Sequence, residues 1–218
     1  MLKESDLKLR IAQTARGDMR GLQELLNNTI LPTEMGTKNT AAAVVNTIAV
    51  EETGLGNILH QTKFVCTATP VSLSLDAGVA LYGGVKLYDL PEGAIMTLGA
   101  VIDGSLSAPT IADDADDAWD GYVGLGTATA GTGATLASTE QDILQTTALT
   151  TAVANVAVCD AVSAASALTE SGARHFDGTS TAKDVFLNFC ITYAATMLAT
   201  TAYFTGTVTL TWIKLGDK

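Results

Sequence analysis

The end of this 218-residue chain carries the pattern that most restricts its fold. Phe204, Gly206, Val208, Leu210 and Trp212 alternate without a break with Tyr203, Thr205, Thr207, Thr209 and Thr211. A period of two sends the two sets to opposite faces of a pleated strand. Apolar residues on one face and threonine on the other describe an antiparallel strand buried on one side only. The same period recurs upstream in Phe64, Cys66 and Ala68, in Val71, Leu73 and Leu75, in Val85 and Leu87, and in Val185, Leu187, Phe189, Ile191 and Tyr193. Residues Ile95 to Ile102 are apolar on both faces, and Tyr122–Leu125 and Val153–Val162 hold shorter strand candidates. Asp89-Leu90-Pro91-Glu92-Gly93 and Asp177-Gly178 supply turn chemistry between them. Short strands separated by such turns predict a mainly β fold, an antiparallel β-sandwich or jelly-roll-like domain over residues 58–218.

Residues 1–57 read differently. Leu7, Ile11, Ala15, Met19, Leu22 and Leu26 recur at steps of three and four, which predicts an amphipathic helix over residues 5–26. Ser5 suits the cap, and Asp6 suits the positive end of the helix. Such a helix is stable only against a docking surface, so Leu7, Ile11, Met19, Leu22 and Leu26 are the expected interaction residues. Pro32 and Gly36 interrupt the chain beyond the helix, and residues 27–57 read as an extended connector. The domain plan is therefore a helical arm with connector, 1–57, and a β domain, 58–218.

Charge narrows the function. Only 16% of residues are charged, and the net charge is −11. Residues 1–26 hold five basic and four acidic residues, and the remainder holds seven basic and nineteen acidic. An acidic body lacks the clustered Lys and Arg that phosphate neutralisation needs, so nucleic acid is not an expected partner. A surface of Thr and Ala loses little side-chain entropy on contact, which favours repeated protein–protein association. Cys66, Cys159 and Cys190 are odd in number and widely spaced, which reads as buried reduced thiols and not as a disulfide framework. The start, MLKESDLKLR, has no apolar signal core, and no run has the length of a membrane span.

Reactive motifs are sparse. Asp113, Asp114, Asp116, Asp117 and Asp120 supply enough carboxylates for Ca²⁺, but they lack the glycine and glutamate of an EF-hand and read first as a solvated acidic loop. Gly124 to Gly133 is glycine-rich without the Lys-Ser/Thr end of a phosphate loop, and reads as a flexible surface loop. His60 and Cys66 lie six residues apart on one strand, about 20 Å, too far for a nucleophile and its base. His175 beside Asp177 reads as a polar loop. The expectation is a protein that is not an enzyme and carries no cofactor.

Gly83-Gly84-Val85-Lys86-Leu87-Tyr88-Asp89-Leu90-Pro91-Glu92-Gly93-Ala94-Ile95, followed by Leu98-Gly99-Ala100-Val101, resembles a segment of structural proteins of tailed bacteriophages. Asp184-Val185-Phe186-Leu187-Asn188, Phe204-Thr205-Gly206-Thr207-Val208 and Thr211-Trp212 are similar to further stretches of them. The resemblance runs in pieces over residues 55–218. It implies a late virion protein made in the host cytoplasm, a capsid decoration or cement protein whose partners are the major capsid protein and copies of itself, with trimers at three-fold positions. Alternatives are another virion part (major capsid, neck, tail or host-binding protein) or a secreted carbohydrate- or calcium-binding β module.

Overall fold

The structure, a computed structural model, describes residues 36–216 except 43, 56–58, 77–79, 108–120, 132–134, 154–155, 163–174 and 193–198. The helix expected over 5–26, its stripe of Leu7, Ile11, Met19, Leu22 and Leu26, and the acidic run Asp113, Asp114, Asp116, Asp117 and Asp120 lie outside the described residues.

The fold is mainly β, as the alternation predicts. The strands are β1 (Thr37–Lys38), β2 (Ile48–Leu55), β3 (Leu59–Asp76), β4 (Ala80–Asp89), β5 (Gly93–Ser107), β6 (Gly121–Gly126), β7 (Leu144–Ala148), β8 (Thr150–Val153), β9 (Val156–Val158), β10 (Ala161–Val162), β11 (His175–Gly178), β12 (Asp184–Thr192) and β13 (Thr200–Gly216). They form one curled antiparallel sheet with the path β7-β6-β12-β4-β3-β13-β5-β9-β8. Strand β3 belongs to both halves. Its first part pairs with β2 and it runs beside β13, while its last three residues pair with β4. The first half is then β4, β12, β6 and β7, and the second is β2, β13, β5 and β8 to β11.

The curl has a local cause. Buried positions in β3 are even-numbered up to Cys66 and odd-numbered from Thr69, and the phase changes at a bulge where Thr67 and Ala68 lie opposite Thr205. Ala68 takes φ 47° and Gly206, across from Cys66, takes φ 156°. Bulges bend a strand and increase its twist. The freed groups are occupied: the Ala68 amide donates to Thr205 Oγ1 at 3.1 Å, and the Thr67 amide donates to the Thr47 carbonyl at 2.8 Å.

Folding over brings apolar faces together. Phe64 on β3 meets Tyr88 on β4 edge-on at 5.4 Å, and Phe189 on β12 meets Phe204 on β13 at 6.1 Å. Phe64, Phe189, Phe204, Val208, Leu210 and Trp212 are completely buried. Each such aromatic or aliphatic side chain contributes roughly 1.5–3 kcal/mol. Every apolar member of the alternating set in β13 is inside, and Tyr203 and Thr205 are exposed.

Residues 36–42 and 44–55, the described part of the segment 27–57 read as an extended connector, are built into the sheet. β1 pairs with β4 and β2 pairs along its whole length with β3, so the segment between them crosses the seam where β3 and β4 diverge. Lys38 Nζ donates to the carbonyls of Val45 (2.9 Å) and Ile48 (3.2 Å), Asn39 Nδ2 donates to Lys86 O (2.7 Å), and Val44 is buried in the core. The sequence leaves this stretch ambiguous because its contacts are long-range and its apolar run, Ala41 to Val50, follows neither period.

Candidate interaction surface and buried polar groups

The residues weighed for chemistry do not converge. His60 is buried on β3 and stacks on Trp212, ring centroids 4.2 Å apart and 11° from parallel. Cys66, on the same strand, pairs across to Ile48 and Gly206, three side-chain rows away from His60. Burial pushes the thiols of Cys66 and Cys190 up to about 11 and that of Cys159 to about 12, so all three are protonated and inert at neutral pH. His175 is exposed on β11, and Asp177 Oδ1 accepts from the amide (3.1 Å) and hydroxyl (2.6 Å) of Thr179, a local turn. Among the described residues no three His, Cys, Asp or Glu side chains are grouped to hold a metal ion.

Three polar constellations that the alternation does not announce shape the molecule. The first is on edge strand β2. Glu52 lies opposite Thr62, and Thr62 Oγ1 accepts from Trp212 Nε1 at 2.9 Å. Both Glu52 carboxylate oxygens are shielded from solvent and meet no hydrogen-bond partner of good geometry. Burial pushes the Glu52 carboxyl up from its ordinary value, and the adjacent Thr62 hydroxyl offsets part of that. An inward-pointing charge on an edge strand opposes uncontrolled strand addition, at a cost in stability. The folded chain holds this proton more tightly than the unfolded chain, so this contribution to stability is lost as pH rises above 4.5. Glu52→Gln should therefore melt higher than the native chain at pH 8 and flatten that loss in a pH series of thermal melts. Equal slopes for the two proteins would refute the assignment.

The second constellation closes the far end of the β4–β12 pair. Asp89 and Asp184 are directly opposed, and like charges there are destabilising. Lys86 Nζ bridges them, 3.0 Å from Asp184 Oδ1 and in contact with Asp89 Oδ1. Burial opposes the charge on Asp89, but hydrogen bonds from Asp184 and Lys86 outweigh it and hold its carboxyl low. Burial and the Asp89 hydrogen bond push Asp184 up.

The third is a strap, residues 127–131 and 135–143, folded over the outer face of the first half. The glycine content of Gly124 to Gly133 predicts a flexible surface loop; instead Gly124 and Gly126 end strand β6, and the residues after them begin the strap. Asn188, completely buried on β12, has glycine on both sides, Gly84 on β4 and Gly124 on β6. Its Oδ1 accepts from the Ala130 amide at 2.9 Å, and its Nδ2 donates to the carbonyls of Ala128 and Glu140, each at 2.8 Å. Asp142 accepts from the amide (2.8 Å) and hydroxyl (2.7 Å) of Thr127, and Glu140 accepts from the amides of Gly131 (2.6 Å) and Ala137 (2.8 Å). Under the strap, Ala130, Leu136 and Cys190 pack with Tyr82 into a small second core.

The outer face of the second half, by contrast, presents a threonine ladder among the described residues. Thr205, Thr207, Thr209 and Thr211 run along it in register with Ser105, Asp103, Val101 and Gly99 of β5. A bulge opposite Thr211 and Trp212 changes the phase of β5, which explains its apolar residues on both sides: Ile95, Thr97, Ala100 and Ile102 point in, and Leu98 and Val101 both point out. Leu98 is 45% exposed, Val101 41% and Leu215, at the end of β13, 50%. Leu59, Ile213 and Met96 form a half-buried row across the same face.

No family model matches the chain, no curated protein matches it, and no solved structure matches it.

Proposed function

We propose that this chain is a capsid-associated structural protein of a tailed-phage virion, a decoration or cement protein that acts through protein–protein contacts and catalyses no reaction. Its partners in this reading are the major capsid protein and further copies of itself, and its location is the head. The curled sheet is then a jelly-roll-like sandwich, and residues 1–57 include the helical arm that joins subunits. The observation that supports the reading is the contrast between the two outer faces among the described residues: one is covered by a strap, and the other presents a Thr ladder with exposed Leu98, Val101 and Leu215. The resemblance of the β4–β5, β12 and β13 segments to phage structural proteins supports the same conclusion.

The mechanism is physical. A filled head pushes outward, and a subunit bound across a joint adds contact area that expansion must break. Interfaces of ordinary size bury about 1,600 Å² in total, and many weak copies act together through avidity. Mass spectrometry of purified particles, with copy number per particle, tests the role. A copy number matching the repeated symmetry positions of a shell is the expected result. A few copies per particle would place the protein in the neck or tail, and absence from particles would overturn the proposal.

A further inference from the structure

We infer that strand β2 is a pH-operated edge: a proton on Glu52 keeps residues 51–55 seated on β3, and loss of that proton releases them. Among the described residues β2 pairs with β3 alone, so the ladder holds it on one side only. Its two ends are anchored differently. Ile48 is buried and Val50 packs against the core, whereas Glu51, Thr53 and Gly54 are exposed and the inward position among them is Glu52. The far end of the strand thus has a carboxyl group where the near end has aliphatic side chains. Both Glu52 oxygens are closed off from solvent. An ionised carboxylate can accept about four hydrogen bonds. The Thr62 hydroxyl opposite, which already accepts from Trp212 Nε1 at 2.9 Å, has one proton to give. Such a place tolerates a neutral carboxyl far better than a charged one.

Around Glu52, Lys63 of β3 reaches the outer face and pairs with Glu51 at 3.7 Å, and His60 of β3, on the inner face, stacks on Trp212. Lys38 Nζ donates to the carbonyls of Val45 and Ile48, ahead of Glu52 in the chain. Lys214 lies two residues beyond Trp212 on β13, and Tyr88 of β4 meets Phe64 edge-on across the core. Burial is the largest influence on Glu52 and pushes its carboxyl up, with Thr62 offsetting part of that. A cation in contact would instead hold it down. With β2 open, Glu52 is in water and titrates near its ordinary 4.5; with β2 closed it titrates higher. Below 4.5 both forms keep the proton, and opening does not depend on pH. Above it the open form loses its proton first. Opening then grows by at most about ten-fold per pH unit, for one proton released, and levels off once the closed form has ionised too. Release uncovers the edge of β3 from Leu59 to Lys63, a row of backbone donors and acceptors suited to pairing with another strand. This device is independent of the virion role.

Hydrogen exchange of the full-length chain from about pH 4 to about pH 8, corrected for the intrinsic rate at each pH, tests the device. The amides of residues 51–55 that bond to β3 should lose protection about ten-fold or more as the pH rises. Those of residues 48–50 and of β13 should keep theirs. Glu52→Gln, which has the same shape and no charge, should remove the pH dependence from residues 51–55. Loss of protection spread evenly over the whole sheet would mean that Glu52 acts on global stability alone, and would overturn the local release. Protection in residues 51–55 that does not change with pH would overturn it as well. The same pH dependence in native and Glu52→Gln chains would take the switch away from Glu52 and leave His60, on the same inner face, as the group that titrates.

Discussion

Asn188→Ala is expected to lower stability by about 3 kcal/mol and to release the strap. The side chain satisfies the Ala130 amide and the carbonyls of Ala128 and Glu140, and it is completely buried. Truncation leaves those backbone groups without partners in a site closed to water, and each such group costs roughly 1–3 kcal/mol. For a chain of this size the loss corresponds to a fall in melting temperature of about 6–12 °C. Limited proteolysis gives the more specific reading. Cleavage should appear within residues 127–143 before the sheet unfolds, because the strap's own contacts, Asp142 with Thr127 and Glu140 with Gly131, are local. Gly84→Ala approaches the same clasp from β4, since a Cβ there would strike Asn188 Oδ1. The two substitutions share one interaction, so the double variant should be less destabilised than the two single losses together. Strict additivity, or an Asn188→Ala protein as resistant to protease as the native chain, would show that the strap does not depend on Asn188.

The range of the forces involved decides which features are legible in the sequence. Alternation in β13 needs only neighbouring residues, and Phe204, Val208, Leu210 and Trp212 are all inside as it predicts. The segments that carry the resemblance also prove to be strand partners: Asp184–Asn188 runs beside Gly84–Asp89, and Phe204–Trp212 runs beside Thr97–Leu106. Asn188 gives no signal in the sequence because its importance lies in backbone groups some sixty residues earlier in the chain, which no local pattern encodes. The glycines of the 124–133 run have the composition of a loop. Two of them, Gly124 and Gly126, are strand residues without side chains, and a Cβ on Gly126 would collide with the backbone of Thr139 and Glu140 in the strap. Glu52 is equally silent, since a single carboxylate in a strand gives no sign of whether it points out or in. The exposed pair Leu98 and Val101 is half visible: Ile95 to Ile102 is apolar on both faces, but only the bulge, a property of the β5–β13 pair, puts the two together outside.

The curl itself hangs on one position, and Gly206→Val should be the most damaging single substitution in the second half. Gly206 takes φ 156°, which an L side chain rarely adopts, and it pairs with β3 on one side and β5 on the other. A Cβ there would drive into the Asp103 carbonyl and come 2.5 Å from Gly104 Cα, and neither is the yielding end of a flexible side chain. Relief requires β5 to move away from β13, which breaks ladder bonds in one of the two longest pairings of the sheet, or the bulge at Thr67 and Ala68 to be lost. Losing the bulge would shift β3 by one residue and turn Val71 and Leu73 from the core to solvent. Overpacking and backbone strain together set the loss at about 3–5 kcal/mol. Gly206→Ala should fall between native and Val in a denaturant series, because the backbone clash is common to both and the added methyls are not. A valine variant as stable as the native chain would mean that the sheet curls for another reason than the bulge.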